Sequence, residues 1–480
     1  MKSISGSLYQ HAVCLVIFVV LFLTLSQPPV HAAASPYREE VLSFQSHNQK
    51  LEGTLFVPGT SGQHPAVVLV HGSNSSDREK YRAEAEMFAN AGIAAFIYDK
   101  RKDGFSTSRG GDRSYQLLSE DVRAAIRVLR SHEAIQPKSV GLWGISEGAW
   151  VASLAASQPD SNAAFLITVG AVGVKPVQQQ SWQLVNRLHD QGVTADSMVR
   201  SISRHGLQLA VSAGLFAEAN YDPAPAFAAI QQPVLAIWGS NDRVEPALES
   251  SKIIQASLNH ARNEHALIHF FPDAGHLLRL TPDGKTQSDQ FAPGYAEAMT
   301  VWVNQVTAGN APRSAVIGTT PQQDHLSPDG IGTLSWYHTA WVQVGSALLL
   351  LFIFVRYLLR SAAHVMRRRA SMHPNRQQGR CKLLLAFSAS VTILGFLVYF
   401  AFIMSSGAKQ LAPLLFDRTL IWCLLQLTSF TALAGTLLLG WSVWRTPAIS
   451  LQQKPFETTL LLIAGILFIP WALYWQLFIL

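Results

Sequence analysis

Short apolar runs alternate with amphipathic stretches between about residues 35 and 306. The apolar runs lie at 65–70, 93–98, 139–143, 164–169, 233–238 and 266–271, after two β-prone runs at 41–46 and 51–57. Helical stretches are expected at 77–90, 117–131 and 147–157. Strands that are apolar throughout and separated by amphipathic helices need cover on both faces, so this region is expected to be an α/β domain with a mostly parallel sheet. Residues 175–232 interrupt the alternation and read as helical, with Trp182, Leu184, Val185 and Leu188 at helix spacing. They are placed either as a lid or as an ordinary structural insertion. Residues 307–335 carry Gly, Pro, Ser, Thr and Asn without periodicity and read as a linker. From 336 to 480 four apolar runs follow, at about 339–359, 383–404, 420–441 and 458–480. Each reaches the ~20 residues that a helix needs to cross a bilayer.

The N-terminal pattern and the charges orient these pieces. Residues 1–34 hold Lys2, an apolar stretch at about 12–25, and Ala32-Ala33-Ala34, the make-up of a secretory signal peptide; an uncleaved anchor is the alternative. Between the first two apolar runs lie Arg356, Arg360, Arg367, Arg368, Arg369, Arg376, Arg380 and Lys382, with no acid in 356–382. Such a loop stays in the cytoplasm. The expectation is an integral protein of a bacterial inner membrane, with the α/β domain on the periplasmic side. The formal charge of +6 belongs to that loop, because residues 35–335 hold about 24 basic and about 29 acidic side chains. Nothing points to nucleic acid. Arg367, Arg368 and Arg369 could meet anionic membrane lipid.

The apolar runs hold almost no ionisable residues and read as an anchor, with lipid handling or partner binding as the alternative. A pure anchor would let a chain ending near Val306 keep its site. Cys14, Cys381 and Cys423 all lie outside 35–335, which excludes disulfides, thiolate metal sites and a cysteine nucleophile there.

The chemistry concentrates in three places. Gly144-Ile145-Ser146-Glu147-Gly148 joins an apolar run to an Ala-rich helix, the setting of a nucleophile elbow that lifts the Ser146 hydroxyl above a sheet edge. Downstream, Asp242 follows the run 233–238 and His276 follows the run 266–271. A serine hydroxyl needs an imidazole to take its proton, and the imidazole needs a carboxylate to fix its tautomer. Asp273 lies closer to His276 in sequence but reads as a turn residue, so Asp242 is the expected acid. The backbone N–H groups of Glu147 and of Ser73, in His71-Gly72-Ser73 after the run 65–70, are the expected oxyanion hole. No P-loop or dinucleotide glycine fingerprint is present, His265 and His269 lack metal-ligand company, and neither cofactor nor metal is expected.

With these motifs, residues 38–307 resemble an α/β-hydrolase of the carboxylesterase and dienelactone-hydrolase-like branch. The resemblance rests on Val70-His71-Gly72-Ser73, Tyr98-Asp99-Lys100-Arg101, Gly144 to Gly148, Gly239-Ser240-Asn241-Asp242 and Ala274-Gly275-His276. It departs at Lys102, where relatives often have glycine, and at Glu147, where Gln or Met is frequent. Asp99 and Arg101 are expected to pair and hold their loop. The implied protein is a membrane-anchored serine hydrolase acting on a small-molecule or lipid ester. The alternatives are an aminopeptidase or thioesterase with the same triad, and a non-catalytic binding or scaffold protein on the same fold.

Overall fold

The computed structural model describes residues 36–73, 77–101, 114–216, 218–328, 334–366, 376–445 and 456–479. The expected signal peptide, Lys102 and the Arg367–Arg369 triplet lie outside them.

Among the described residues, nine strands form one sheet: β1 (Tyr37–Ser46), β2 (Gln49–Pro58), β3 (His64–Val70), β4 (Ala94–Tyr98), β5 (Ile135–Ile145), β6 (Leu166–Val169), β7 (Val234–Gly239), β8 (Ala266–Phe271) and β9 (Ala315–Gly318). Their order is β1-β2-β4-β3-β5-β6-β7-β8-β9. β1 and β2 pair antiparallel, as do β2 and β4, and every later neighbour is parallel. Alternate strand residues feed two apolar clusters. Val68, Val70 and Phe96 face one, and Val67, Leu69 and Ile97 face the other. Burial on both faces explains why these strands are apolar throughout. The chain runs outward from β3 to β4 and returns to β5 beside β3. The crevice beyond the carboxyl ends of β3 and β5 is therefore the point where the winding reverses, where α/β sheets bind ligands. This is an α/β-hydrolase fold.

β9 lies in the stretch expected as a linker. It pairs with β8 from Leu267↔Ala315 to Phe270↔Gly318. Beyond it, Ser327 donates to Glu249 from its N–H and from Oγ, both at 2.8 Å, so part of this segment is fixed to the domain. The apolar run Ala315-Val316-Ile317-Gly318 is only four residues long, exposed at the sheet edge and set among Gly, Pro, Ser and Thr, so its pattern does not stand out from the linker.

Among the described residues, four helices are long and apolar enough to cross a membrane: Ala340–His364, Gln377–Ser406, Leu420–Trp444 and Phe456–Tyr474. They carry many exposed large apolar side chains, among them Leu349, Phe352, Phe387, Val398, Leu427 and Leu437. A water-facing bundle would bury such a surface.

The insertion docks on this bundle. Its helix Pro176–Asp190 and the segments Asp196–Arg200, Ser201–His205 and Gly206–Ser212 put Leu184, Leu188, Met198, Ile202 and Leu207 into one cluster with Phe354, Phe396 and Phe468. The amphipathic spacing around Trp182 announced a buried face but not its partner.

Candidate active site

The elbow forms because glycine stands at both points of closest approach. A Cβ on Gly144 would lie 2.3 Å from the Gly148 carbonyl oxygen, and one on Gly148 would lie 2.2 Å from that of Val70. Between them Ser146 takes φ 55° and ψ −123°, a conformation that a side-chain-bearing residue adopts only under constraint. The Ser146 N–H donates to Val169 at 2.9 Å, pinning the turn to β6. The helix Glu147–Ser157 starts immediately after the serine, so its N-terminal end points at the site.

The loops after β7 and β8 are held in contact. Asn241 N–H donates to the Ala274 carbonyl at 2.9 Å, and a Cβ on Gly239 would lie 2.2 Å from the same oxygen. This brings Asp242 Oδ2 to 2.8 Å from His276 Nδ1. The other Asp242 oxygen accepts the N–H of Val244 at 2.8 Å and of Glu245 at 3.3 Å, which fixes the carboxylate plane. Both side chains are buried. Asp273 is exposed in a turn with φ 50°. Ser146 and His276 line one cavity of about 600 Å³, together with Ser73 and Glu147.

The Gly72 N–H donates to Tyr81 Oη at 3.0 Å, which commits it to holding the loop. Burial pushes the Tyr81 hydroxyl up to about 12, so it stays neutral. His71 packs edge-on to Tyr81, with ring centroids 4.8 Å apart.

Three contributors were not picked out from the sequence. The first is Lys100. Its Nζ lies 2.5 Å from Glu147 Oε1 and 3.0 Å from the Gly72 carbonyl oxygen, with both charged side chains buried. The unusual acid after the serine is thus offset from behind. The expected Asp99–Arg101 pair does not form. Arg101 instead chelates Asp121, with bonds of 2.7 and 2.5 Å, while Asp99 accepts the Arg78 N–H at 3.2 Å. Asp121 lies on the following helix, Tyr115–Arg130, and a partner twenty residues on is invisible to local spacing.

The second is Glu245, which is 0% exposed beside Asp242. Burial, and then the Asp242 charge, push its carboxyl well above the usual range. A raised folded-state value contributes stability that is fully present below the unfolded value of about 4.3 and is lost as pH rises through the folded value. In that window the wild type loses about 1.4 kcal/mol per pH unit from this site. Glu245→Gln has no such loss, so its thermal midpoint relative to wild type should climb between pH 5 and pH 8. A pH-independent gap would show that Glu245 is ionised in the fold.

The third is Gly170, at φ 55°. A Cβ there would lie 2.9 Å from His276 Nδ1 and 3.3 Å from Glu245 Oε1.

Asp242, Glu245 and His276 bring one ligand atom each within 4.8 Å of one another, a set that a divalent cation could occupy. A proton on Glu245 removes one anionic ligand from that set, and a cation bound to Asp242 Oδ2 would compete with the contact that orients His276.

Lys100→Met removes one partner of a buried ion pair, a change that costs about 3–5 kcal/mol. It also leaves negative charge beside Ser146, in the expected oxyanion hole, so kcat should fall along with the melting temperature. Adding Glu147→Gln should restore most of the stability. A single variant as stable as the wild type would mean that the pair is not important to the loop.

Parts of the chain are similar to known proteins. The family model described as BAAT / acyl-CoA thioester hydrolase C terminal matches residues 122–282, which include Ser146, Asp242 and His276. The quorum-quenching protein AidA of Acinetobacter baumannii is 36% identical over 112 residues, 22% of this chain and 36% of that protein. The thiohydrolase aneE of Aspergillus aculeatus is 34% identical over 100 residues, 20% of this chain and 30% of that protein. The chain thus spans about a third of the length of these curated relatives. An uncharacterised protein of Mycobacterium tuberculosis is 26% identical over 273 residues, 55% of this chain and 82% of that protein. Among solved structures, 2,6-dihydroxy-pseudo-oxynicotine hydrolase superposes with a TM-score of 0.41 at 18% identity, covering 58% of this chain and 70% of its own. Dienelactone hydrolase from Anabaena variabilis gives 0.38 at 18% identity, covering 58% and 100%. The fold and the family match together support a hydrolase of the α/β type.

Proposed function

We propose that this protein is a membrane-embedded serine hydrolase that cleaves carboxylic esters through an acyl-enzyme. The observation that carries the reading is the 2.8 Å contact of His276 Nδ1 with Asp242, in the cavity that Ser146 also lines. Ser146 Oγ forms a bond to the ester carbonyl carbon as its proton passes to His276 Nε2. The N–H groups of Glu147 and Ser73 hold the oxyanion. The bond to the leaving alcohol breaks as His276 returns the proton to that oxygen. Water then adds by the same relay and releases the acid. Asp242 stabilises the imidazolium in each half.

A thioester substrate is the second reading, favoured by the description of the matching family and by the name of the Aspergillus relative. The test is turnover by full-length protein in detergent of p-nitrophenyl esters of increasing chain length, acyl thioesters and aminoacyl anilides. Ester turnover that resists chelators and vanishes in Ser146→Ala is expected. Thioester turnover alone would move the assignment, and chelator-sensitive turnover would replace the triad with a metal site.

The basic loop supports an orientation with the hydrolase domain on the periplasmic side of an inner membrane. Periplasm-dependent reporters fused after Ser335 should be active, and those fused within 356–382 should be silent. The reverse pattern would overturn this orientation.

A further inference from the structure

The hydrolase domain does not enclose the cavity over Ser146 alone. Part of its wall is the end of the second membrane helix and the loop that follows, from Met404 to Gly407 and at Lys409. This wall is tied to the insertion by polar contacts. Arg187 Nη1 donates to the Gly407 carbonyl at 2.8 Å, and Gln191 Nε2 donates to that of Ala408 at 2.5 Å. The Asp417 carbonyl accepts the N–H of Thr194 at 2.9 Å and of Ala195 at 3.0 Å. A chain ending near Val306 would lose β9, this wall and the apolar partner of the insertion. The expectation that the bundle is only a tether does not fit this arrangement.

The level of the wall follows from its neighbours. Trp336 and Trp341, at the start of the first span, are 75% and 72% exposed, and Phe416 in the loop is 87% exposed. Exposed aromatics at span ends mark the water–lipid boundary. The first span starts on the insertion's side, because the Ala340 N–H donates to Ser212 Oγ at 2.8 Å. The cavity therefore sits at about the depth of lipid head groups.

Its charge is one-sided. Among the described residues the lining cations are Lys80, Arg187 and Lys409, from three separate segments, and the lining carboxylate is Glu147, which Lys100 offsets. Lys80 and Lys409 are exposed and form no ion pair with a described residue. Trp150, Phe216 and Met404 supply an apolar side. We propose that the cavity takes an anionic amphiphilic ester, whose phosphate or carboxylate is held by Lys80, Arg187 and Lys409 while its ester carbonyl meets Ser146. This rests on the reading of Ser146 as the nucleophile.

The test compares 4-carboxyphenyl butyrate with its neutral analogue 4-carbamoylphenyl butyrate on full-length protein in zwitterionic vesicles. Lys80→Glu and Lys409→Glu reverse exposed charges and leave the Arg187–Gly407 contact intact. Each should lower the anionic-to-neutral ratio of kcat/KM by about tenfold, the two together by about a hundredfold, and salt should shrink the wild-type ratio. A ratio within about twofold of wild type in variants that still react with a fluorophosphonate would overturn the anion site while leaving the esterase reading standing. If wild type hydrolyses neither ester, the esterase reading fails and this inference falls with it. The source of the anion is set by a second arm. Fatty acid released from phosphatidylglycerol vesicles, and not from phosphatidylcholine vesicles, would assign a lipid head group. A charge-dependent ratio without lipid turnover would assign a soluble anion.

Discussion

Replacing Ser146 by alanine is expected to lower kcat by about 10⁴–10⁶ while leaving the fold and its melting temperature nearly unchanged. The elbow is held by Gly144, Gly148 and the Ser146 N–H bond to Val169, none of which involves the serine oxygen. In the proposed mechanism, what disappears is the atom that forms the acyl bond. His276→Ala should be about as damaging if, as proposed, the hydroxyl and its base act as one unit, and the double variant should then be little worse than either single one. Ser146→Gly gives a complementary signature. Glycine adopts φ 55° without strain, so this inactive variant should be more stable than wild type by about 1 kcal/mol. Melting and turnover measured on the same preparations check both statements.

The second large effect is on the acid. Asp242→Asn should lower kcat by up to about 10⁴. The amide cannot accept at both oxygen positions, so either the N–H of Val244 and Glu245 or His276 Nδ1 loses its acceptor, and the imidazole settles in the wrong tautomer or orientation. Asp273→Asn should change kcat less than about twofold, because exposed turn residues tolerate such exchanges. If the two effects were interchanged, the assignment of the acid would be wrong.

How far the site can be read from sequence depends on the range of each interaction. The elbow is legible because a close backbone approach demands glycine on both sides of Ser146 within five residues. Asp242 and His276 are legible because each ends an apolar run, and strand ends of a parallel sheet converge at one edge. Glu245 is not. The sequence Val244-Glu245-Pro246 looks the same for an exposed acid before a helix as for one buried behind the Asp242–His276 pair. Lys100 and Arg101 sit side by side, yet one turns to Glu147 and the other to Asp121. That choice is made by packing across the sheet.

The four helices long and apolar enough to cross a membrane are legible in length and hydropathy. Their contact with the insertion is not, since Leu184, Leu188 and Met198 show only that something apolar must cover them. The role of Lys409 in the cavity wall depends on that contact and could not be inferred without it.

The central claim is that Ser146 is activated by His276 and Asp242 for acyl transfer. Fluorophosphonates probe it directly, because only a serine with a working base attacks them quickly. The full-length protein should take up one label per chain, located on Ser146 by mass spectrometry, slowed in Asp242→Asn and absent from Ser146→Ala. No label on folded wild type, or full labelling of Ser146→Ala, would contradict the account.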